Sequence, residues 1–159
     1  ATAVTTAKIA NDAVTKDKLL SHNYPAFHVT SNVGQSIAQD TTTKVQYNTE
    51  VFDTDSCYDT TNYRFTPNVA GKYFVYAVLR YDTSTDWQSN QIFVYKNGSE
   101  FLGFVRPQEH FTALDIQAVV ECNGSSDFIE IFVLKESASS HTITNAANKN
   151  LFFGYRIGD

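Results

Sequence analysis

The feature that most constrains this chain is a run of residues that is apolar on both faces of a strand. In YFVYAVL at residues 73–79, successive side chains point to opposite sides if the run is extended. An antiparallel strand with one wet face normally alternates apolar and polar residues, and this run does not. Segments 92–95, 128–134 and 151–155 repeat the pattern. We therefore expect these strands to be covered on both faces.

Another copy of the chain is the simplest cover for the second apolar face, so the pattern predicts a homo-oligomer. A thick monomeric core, or loops folded over the outer face, is the alternative interpretation. Aromatic residues make up 14% of the sequence and charged residues 18%, which indicates a large buried surface rather than disorder. At 159 residues we expect one domain with a small appendage.

Short strands separated by turn residues fill the chain after Pro25. Asn97-Gly98, Asn123-Gly124 and the serine-rich run 137–140 have turn chemistry, because Asn and Gly tolerate positive φ. No convincing helical period follows Pro25, so we predict an all-β fold, an antiparallel two-sheet jelly-roll sandwich. The predicted strands are Ala26–Thr30, Lys44–Tyr47, Glu50–Phe52, Lys72–Tyr81, Gln91–Tyr95, Thr112–Glu121, Phe128–Lys135 and Leu151–Ile157.

Composition also excludes several classes of partner. The formal net charge is -5 and Lys and Arg form no cluster, so we expect no nucleic-acid partner. No apolar run approaches the roughly 20 residues that span a bilayer, so we expect no membrane insertion. Cys57 and Cys122 lie too far apart for a zinc finger, and both a disulfide and two buried thiols fit the sequence.

Enzymatic motifs are missing from the sequence. It has no phosphate-binding Gly-rich loop and no Gly-x-Ser-x-Gly turn, and its four histidines are isolated. The acidic segment 53–59 starts like a calcium loop, but Tyr58 stands where Gly is needed and Arg64 where a bidentate Glu would bind. We predict a non-enzymatic protein with no cofactor and no metal, with an irregular calcium site left open.

Two segments are candidate ligand-binding sites. The loop 81–90 holds Asp82, Asp86, Trp87 and Gln88, and an aromatic ring beside polar acceptors suits the faces of a sugar. The alternative is that Trp87 packs beneath the loop or at a subunit boundary. The second segment, 106–110, is predicted as a polar loop between strands. Its candidate residues are Arg106, Gln108 and His110.

The run YDTTNYRFTPNVAGKYFVYAVL at residues 58–79 resembles the signature of the globular head of the complement first component q subunit and its tumour-necrosis-factor-like relatives. Matching positions occur at both ends and in the middle, so the resemblance covers roughly residues 25–157. They are Tyr58-Asp59, Phe65-Thr66-Pro67, Gly71, Tyr73, Pro25-Ala26-Phe27, Phe152, Gly154, Tyr155 and Ile157. The sequence departs from the family pattern at Tyr63, Val75 and Ser126-Asp127.

The resemblance implies a ten-stranded jelly roll that assembles as a tight homotrimer, in agreement with the two-faced strands. It also implies that the tyrosine at position 73 belongs to the core, so the residues on the opposite face should contact the neighbouring subunit. The expected interface residues are Phe74, Tyr76 and Tyr155. Such heads bind ligands through variable loops, so the fold does not transfer a function.

The first residues narrow the context. VTTAKIANDAVTKDKLL contains a short internal repeat, and it resembles segments of bacteriophage tail fibres that precede a compact head. A two-copy repeat that arose by chance, or a pair of capped helical turns, is the alternative interpretation. The expected organisation is the end of a fibre shaft at residues 1–24 and a head at residues 25–159, in a fragment of a longer protein.

The leading hypothesis is a non-enzymatic virion protein, the knob of a tail fibre, tail needle or spike. It would trimerise and bind a host cell-surface receptor such as a polysaccharide. One alternative is a structural protein, meaning a trimerisation cap, a capsid decoration or a plug. The other is a glycan-acting enzyme in which Asp82 and Asp86 are the paired carboxylates.

Overall fold

The computed structural model describes residues 24–82, 87–107, 113–137 and 139–159. These ranges contain strands and turns, with no helix that is long and apolar enough to cross a membrane. The segment predicted as a shaft lies outside the described residues, except for Tyr24. The strands are β1 (Ala26–Thr30), β2 (Gln35–Ile37), β3 (Thr43–Lys44), β4 (Thr49–Asp53), β5 (Tyr58–Asp59), β6 (Arg64–Phe65), β7 (Ala70–Arg80), β8 (Trp87–Lys96), β9 (Ser99–Pro107), β10 (Ala113–Asn123), β11 (Ile129–Ser137), β12 (His141–Ile143) and β13 (Leu151–Gly158).

Two antiparallel sheets form the jelly-roll sandwich, which confirms the predicted fold class. The five-stranded sheet has the order β10-β7-β13-β1-β4. The second sheet has the order β5-β6-β11-β8-β9, and β3 also pairs with β11. Strands β2 and β12 form a separate ribbon. Neighbouring strands of the five-stranded sheet are distant in sequence, so each face of this sheet carries side chains from both ends of the described residues.

Strand β7 shows how alternation divides the side chains between the two faces of the sheet. The odd-numbered residues from Tyr73 to Leu79 are completely buried in the core. The even-numbered residues from Phe74 to Val78 are half-buried on the outward side. The prediction that Tyr73 is a core residue and that Phe74 and Tyr76 lie on the opposite face is confirmed.

An aromatic cluster fills the core beneath β1. The ring of Phe27 stacks on Phe65 with the centroids 4.2 Å apart, and it lies 5.3 Å from the ring of Tyr58. Phe152 meets Phe27 edge-on at 4.8 Å. Aromatic pairs of these geometries contribute about 0.5–1.5 kcal/mol beyond their area burial. The motif residues behind the family resemblance therefore stabilise the fold directly, by packing.

Three buried tyrosines place their hydroxyl groups on backbone carbonyls. The Tyr47 hydroxyl donates to Val78 O at 3.0 Å, and the Tyr58 hydroxyl donates to Tyr47 O at 3.1 Å. The Tyr73 hydroxyl donates to Val69 O at 2.6 Å, and burial raises the pKa of Tyr73 to about 12. Each phenol therefore stays a protonated donor at neutral pH, and the core carries these polar groups without leaving them unsatisfied.

The predicted strand at Lys44–Tyr47 agrees with the structure only at Lys44, where β3 ends. Val45 N still donates to Ile131 O of β11 at 2.8 Å, and a side chain binds the backbone on either side of Val45. The Gln35 amide donates from Nε2 to Lys44 O at 2.7 Å and accepts from Gln46 N at 2.9 Å. The backbone after Lys44 therefore satisfies its polar groups in part with a glutamine side chain instead of a neighbouring strand.

Five strands were not predicted, and the described residues hold more than the ten strands that the resemblance implies. Four of them are short, namely β2, β5, β6 and β12. The fifth, β9, spans nine residues with the sequence SEFLGFVRP, whose glycine and lack of alternation hide its extended conformation. A β-carbon at Gly103 would lie 2.7 Å from the Phe93 ring. The glycine is therefore required by the aromatic ring that packs on it.

The two cysteines are buried, unpaired thiols, which decides between the alternatives left by the sequence. Desolvation raises the pKa of both, for Cys122 to about 11. Neither thiol is ionised appreciably near neutral pH, so both act as small apolar groups of the core.

Candidate functional site

The outward side of the five-stranded sheet carries a continuous set of ring side chains, which we call the aromatic face. It is formed by Phe52, His28, Phe153, Tyr76, Phe74 and Tyr155. Ring centroids of neighbouring members lie 5.4 Å apart for Tyr76 and Phe153, and 5.6 Å apart for Phe74 and Tyr155. His28 extends the set, 6.2 Å from Phe153 and 6.0 Å from Phe52.

Strand register explains why these rings meet. Tyr76 of β7 pairs with Phe153 of β13, Phe153 pairs with His28 of β1, and His28 pairs with Phe52 of β4. Directly paired residues point to the same face of a sheet, so the four rings form a row across four strands. A second pair, Phe74 and Tyr155, lies beside this row. The aromatic face is therefore a product of long-range pairing.

Exposure shows that the described loops leave much of this face open. Tyr155 is 45% exposed and Phe52 is 46% exposed, and Val119 of the neighbouring strand β10 is 50% exposed. Phe74 and Tyr76 are half-buried by their neighbours. Partial desolvation and the nearby Asp115 carboxylate raise the pKa of Tyr76, so its phenol remains neutral. Within the described residues, loops folded over this face do not account for its apolar character.

A second apolar surface lies where the two sheets end side by side, and we call it the apolar edge. It consists of exposed residues of β9, namely Phe101, Leu102, Phe104 and Val105. Between β9 and β10 this edge contains a cleft of about 220 Å³, with Asp115 and Gln117 beside its apolar walls. The apolar edge is narrow because a single strand forms it, whereas the aromatic face extends over four strands.

The candidate recognition residues of segment 81–90 are separated by the structure. Asp82 is exposed, its Oδ1 accepts from Thr142 N at 3.3 Å, and its own N–H donates to Thr142 O at 2.9 Å. Asp86 lies outside the described residues. Trp87 and Gln88 belong to β8, where Trp87 pairs with Ser137, so the prediction that they lie in a loop is wrong. Strand β8 begins early because β11 extends far enough to pair with it.

The second candidate segment is also partly strand. Arg106 pairs with Asn90 near the end of β9, so its assignment to a loop is wrong. Gln108 and His110 lie outside the described residues. Arg106 and Trp87 share one end of the second sheet through their strands, whereas the predicted glycosidase pair of Asp82 and Asp86 stays a prediction.

The acidic segment 53–59 uses its carboxylates to hold turns. Asp53 accepts from Tyr58 N at 2.7 Å and from Asp55 N at 3.3 Å. Asp59 accepts from the backbone N–H groups of Thr61 and Asn62, and its hydrogen bonds to Asn62 lower the pKa of this carboxyl. Among the described residues no group of three His, Cys, Asp or Glu side chains could hold a metal ion.

Comparisons with known proteins establish the fold. No family model and no curated relative matches the sequence. Murine APRIL is similar in structure with a TM-score of 0.65 at 12% identity, over 85% of this chain and 100% of the APRIL chain. The globular domain of zebrafish complement 1qA has a TM-score of 0.60 at 16% identity, over 84% and 97% of the two chains. PRD1 vertex protein P5 has a TM-score of 0.61 at 13% identity, over 85% and 96%. The described residues therefore share the jelly-roll fold of these three structures.

Proposed function

We propose that this chain is the homotrimeric head of a virion surface appendage, such as a tail fibre, tail needle or spike, and that it contacts the host cell surface without catalysing a reaction. The aromatic face carries the proposal. Each large aromatic side chain contributes about 150–250 Å² when it is buried. Soluble monomers rarely leave contiguous apolar patches of more than a few hundred Å² open to water. A second copy of the chain is the occupant that we assign to this face.

The two apolar surfaces suggest how copies join. The aromatic face is broad, whereas the apolar edge with Leu102 and Phe104 is narrow, so each could receive the other from a neighbouring copy. An interface between unlike surfaces is heterologous, and it closes into a ring when the rotation between copies divides a full turn. Trimers are typical of this fold, which favours closure after three copies.

Assembly would also cover strand β9. An exposed edge strand offers unpaired N–H and C=O groups to other chains, and apolar side chains make such an edge prone to aggregation. Strand β9 lies at the end of its sheet and carries four exposed apolar residues in succession around Gly103. Packing this edge against a neighbour's aromatic face would shield the apolar side chains of β9 from water and keep other chains from pairing with it.

Recognition would be the task of the strand ends that remain on the surface of the trimer. The jelly roll supplies a rigid base, and the segments around Asp82, Asp86, Trp87 and Gln88 are our first candidates for contact with a polysaccharide. The segment with Arg106, Gln108 and His110 is the second. Three copies would convert weak individual contacts into avidity where the receptor sites are spaced to be reached together.

Two independent observations, one from structure and one from sequence, support the virion location. A phage vertex protein shares the fold over 85% of this chain. Independently, the segment at residues 4–20 resembles the shaft repeats of phage tail fibres. The same vertex protein favours a structural role as our second candidate, in which the head caps or decorates a particle without binding a receptor.

One experiment tests the proposed trimer and another tests the proposed contact with host cells. Sedimentation equilibrium of residues 1–159 at micromolar concentration should give three times the monomer mass, and a monomer would contradict the proposed trimer. Purified head should compete with the phage for adsorption to host cells. Trimeric head that does not compete favours the structural role, and release of reducing sugar from host polysaccharide would instead support the glycan-acting alternative.

A further inference from the structure

His28 places an imidazole within the aromatic face. Its ring is half-buried and lies edge-on to Phe52 and to Phe153, with an interplanar angle of 76° in both cases. The Nε2 atom is shielded from water and has no hydrogen-bond partner among the described residues. A ring nitrogen in this position is unusual, because buried polar atoms normally have a partner.

The charged groups of the strands beside His28 point elsewhere. On β4, Glu50 is exposed and pairs with Val29, and Asp53 pairs with Phe27, whereas His28 itself pairs with Phe52. Asp53 is also held by the backbone of the following turn. On β13, Arg156 donates to Ala70 O and to the Asp159 carboxylate. None of these described groups is placed to neutralise a charge on the imidazole.

The remaining titratable groups on the same face are phenols. Tyr76 lies two strands away in the same row, and Tyr155 pairs with Ala26, next to His28. A phenol is neutral in the range where histidine titrates, so neither can act as a counter-ion. Asp115 lies on β10, three strands from β1, at the far side of the sheet.

We propose that His28 makes assembly of the head depend on pH, with the neutral imidazole covered by a neighbouring copy and the protonated imidazole opposing that contact. The inference rests on the proposed trimer and adds its regulation. Covering a charge with an apolar partner removes its hydration without compensation. In a separated copy the imidazole ring is half-buried, with only its Nε2 side shielded, so a separated copy binds a proton more readily than a trimer that covers the whole ring. By linkage, acid then favours the separated copies.

The size of the effect follows from the number of copies. Histidine side chains in water change charge around pH 6.5. An imidazole that is fully hydrated in one state and cannot be protonated in the other contributes at most about 10-fold one pH unit below this value. A trimer covers three half-buried imidazoles, so its assembly constant should fall between pH 7.5 and pH 5.5, by at most about 10³-fold.

Sedimentation equilibrium of the full chain at pH 7.5 and pH 5.5, over a dilution series, measures this constant. We expect the assembly constant of the wild-type chain to fall at pH 5.5. The assembly constant of His28→Phe should not depend on pH, because this variant keeps a ring without a titrating group. His28→Gln provides a second variant that cannot titrate. His141→Gln removes a histidine outside the aromatic face and should keep the wild-type response.

The outcomes separate the two proposals. A wild-type trimer with the same assembly constant at both pH values would overturn the role of His28 and leave the proposed trimer standing. An equal pH response in His28→Phe and His28→Gln would do the same, because another group would then be responsible. A chain that is monomeric at pH 7.5 would overturn the trimer and the inference together.

Discussion

Tyr76→Glu is the sharpest test of the assembly surface. Tyr76 is half-buried on the outward side of β7 and its ring lies 5.4 Å from that of Phe153, whereas the core is formed by the opposite face of the strand. A glutamate here can keep its carboxylate hydrated in a folded monomer. Beneath a neighbouring copy, the same carboxylate would be a buried charge without a partner.

The expected loss can be worked from the number of interfaces. An uncompensated buried charge costs about 3 kcal/mol or more, and a closed trimer would contain three such charges. The sum of about 9 kcal/mol corresponds to a decrease in the assembly constant on the order of 10⁶-fold. Tyr76→Glu should therefore be monomeric at concentrations at which the wild type is a trimer.

Sedimentation velocity measures the mass, and circular dichroism with thermal unfolding shows whether the variant is folded. Leu134→Glu is the control, because Leu134 is half-buried on the outward face of the second sheet, opposite Gln91. It should remain trimeric. A folded Tyr76→Glu trimer of wild-type stability would refute the assignment of this face to assembly, and a monomeric Leu134→Glu would move the interface to the other sheet.

Three further predictions concern the head itself. Gly154→Ala should lower the stability by about 1–3 kcal/mol, because its β-carbon would lie 2.8 Å from Phe74 O and 2.9 Å from the Phe27 ring; an unchanged melting temperature would contradict this. Cys122, whose pKa burial raises to about 11, should react slowly with iodoacetamide at pH 8 and rapidly in denaturant, as followed by mass spectrometry. Hydrogen bonds from Asn97 and Lys96 lower the pKa of Asp127, so its contribution to stability is present above the unfolded value near pH 4 and is lost as the pH falls through the folded value. Urea unfolding at pH 7 and pH 3 should therefore show a smaller difference for Asp127→Asn than for the wild type.

The long strands of the fold were predictable because their signal is local. Strand β7 is apolar at every position from 73 to 79, and its division into core and outward residues follows from alternation alone. Strand β9 was missed for an equally local reason. Gly103 weakens the strand pattern, and its purpose becomes visible only when the Phe93 ring of β8 lies on it. A residue chosen for a tertiary contact gives a misleading local signal.

The aromatic face was predictable only in part. Phe74, Tyr76 and Tyr155 could be named because they occur in strands with two apolar faces. His28 and Phe52 could not, since their membership depends on the pairing of β1 with β4 and β13. The predicted recognition loop was wrong at Trp87 because the local sequence is misleading there. Polar residues surround Trp87 and resemble a loop, but Trp87 pairs with Ser137 at the end of β11 and so belongs to a strand.

The second sheet shows that strands with two apolar faces do not always need another copy of the chain to cover them. Strands β8 and β11 also carry apolar residues on both faces, yet their outward rings cover one another, with Tyr95 stacked on Phe132 at 4.1 Å. Lys44 lies 5.8 Å above the Phe132 ring and forms an ion pair with Glu130, so charged groups complete this surface. A lysine can cover apolar area with its stem while its ammonium group remains polar. The aromatic face has no comparable ion pair among its described members, and its ring contacts leave Tyr155 and Phe52 about half exposed. Apolar residues on both faces of a strand thus need to be covered. The outward face of the second sheet is covered by its own side chains, whereas the outward face of the five-stranded sheet favours another copy of the chain as its cover.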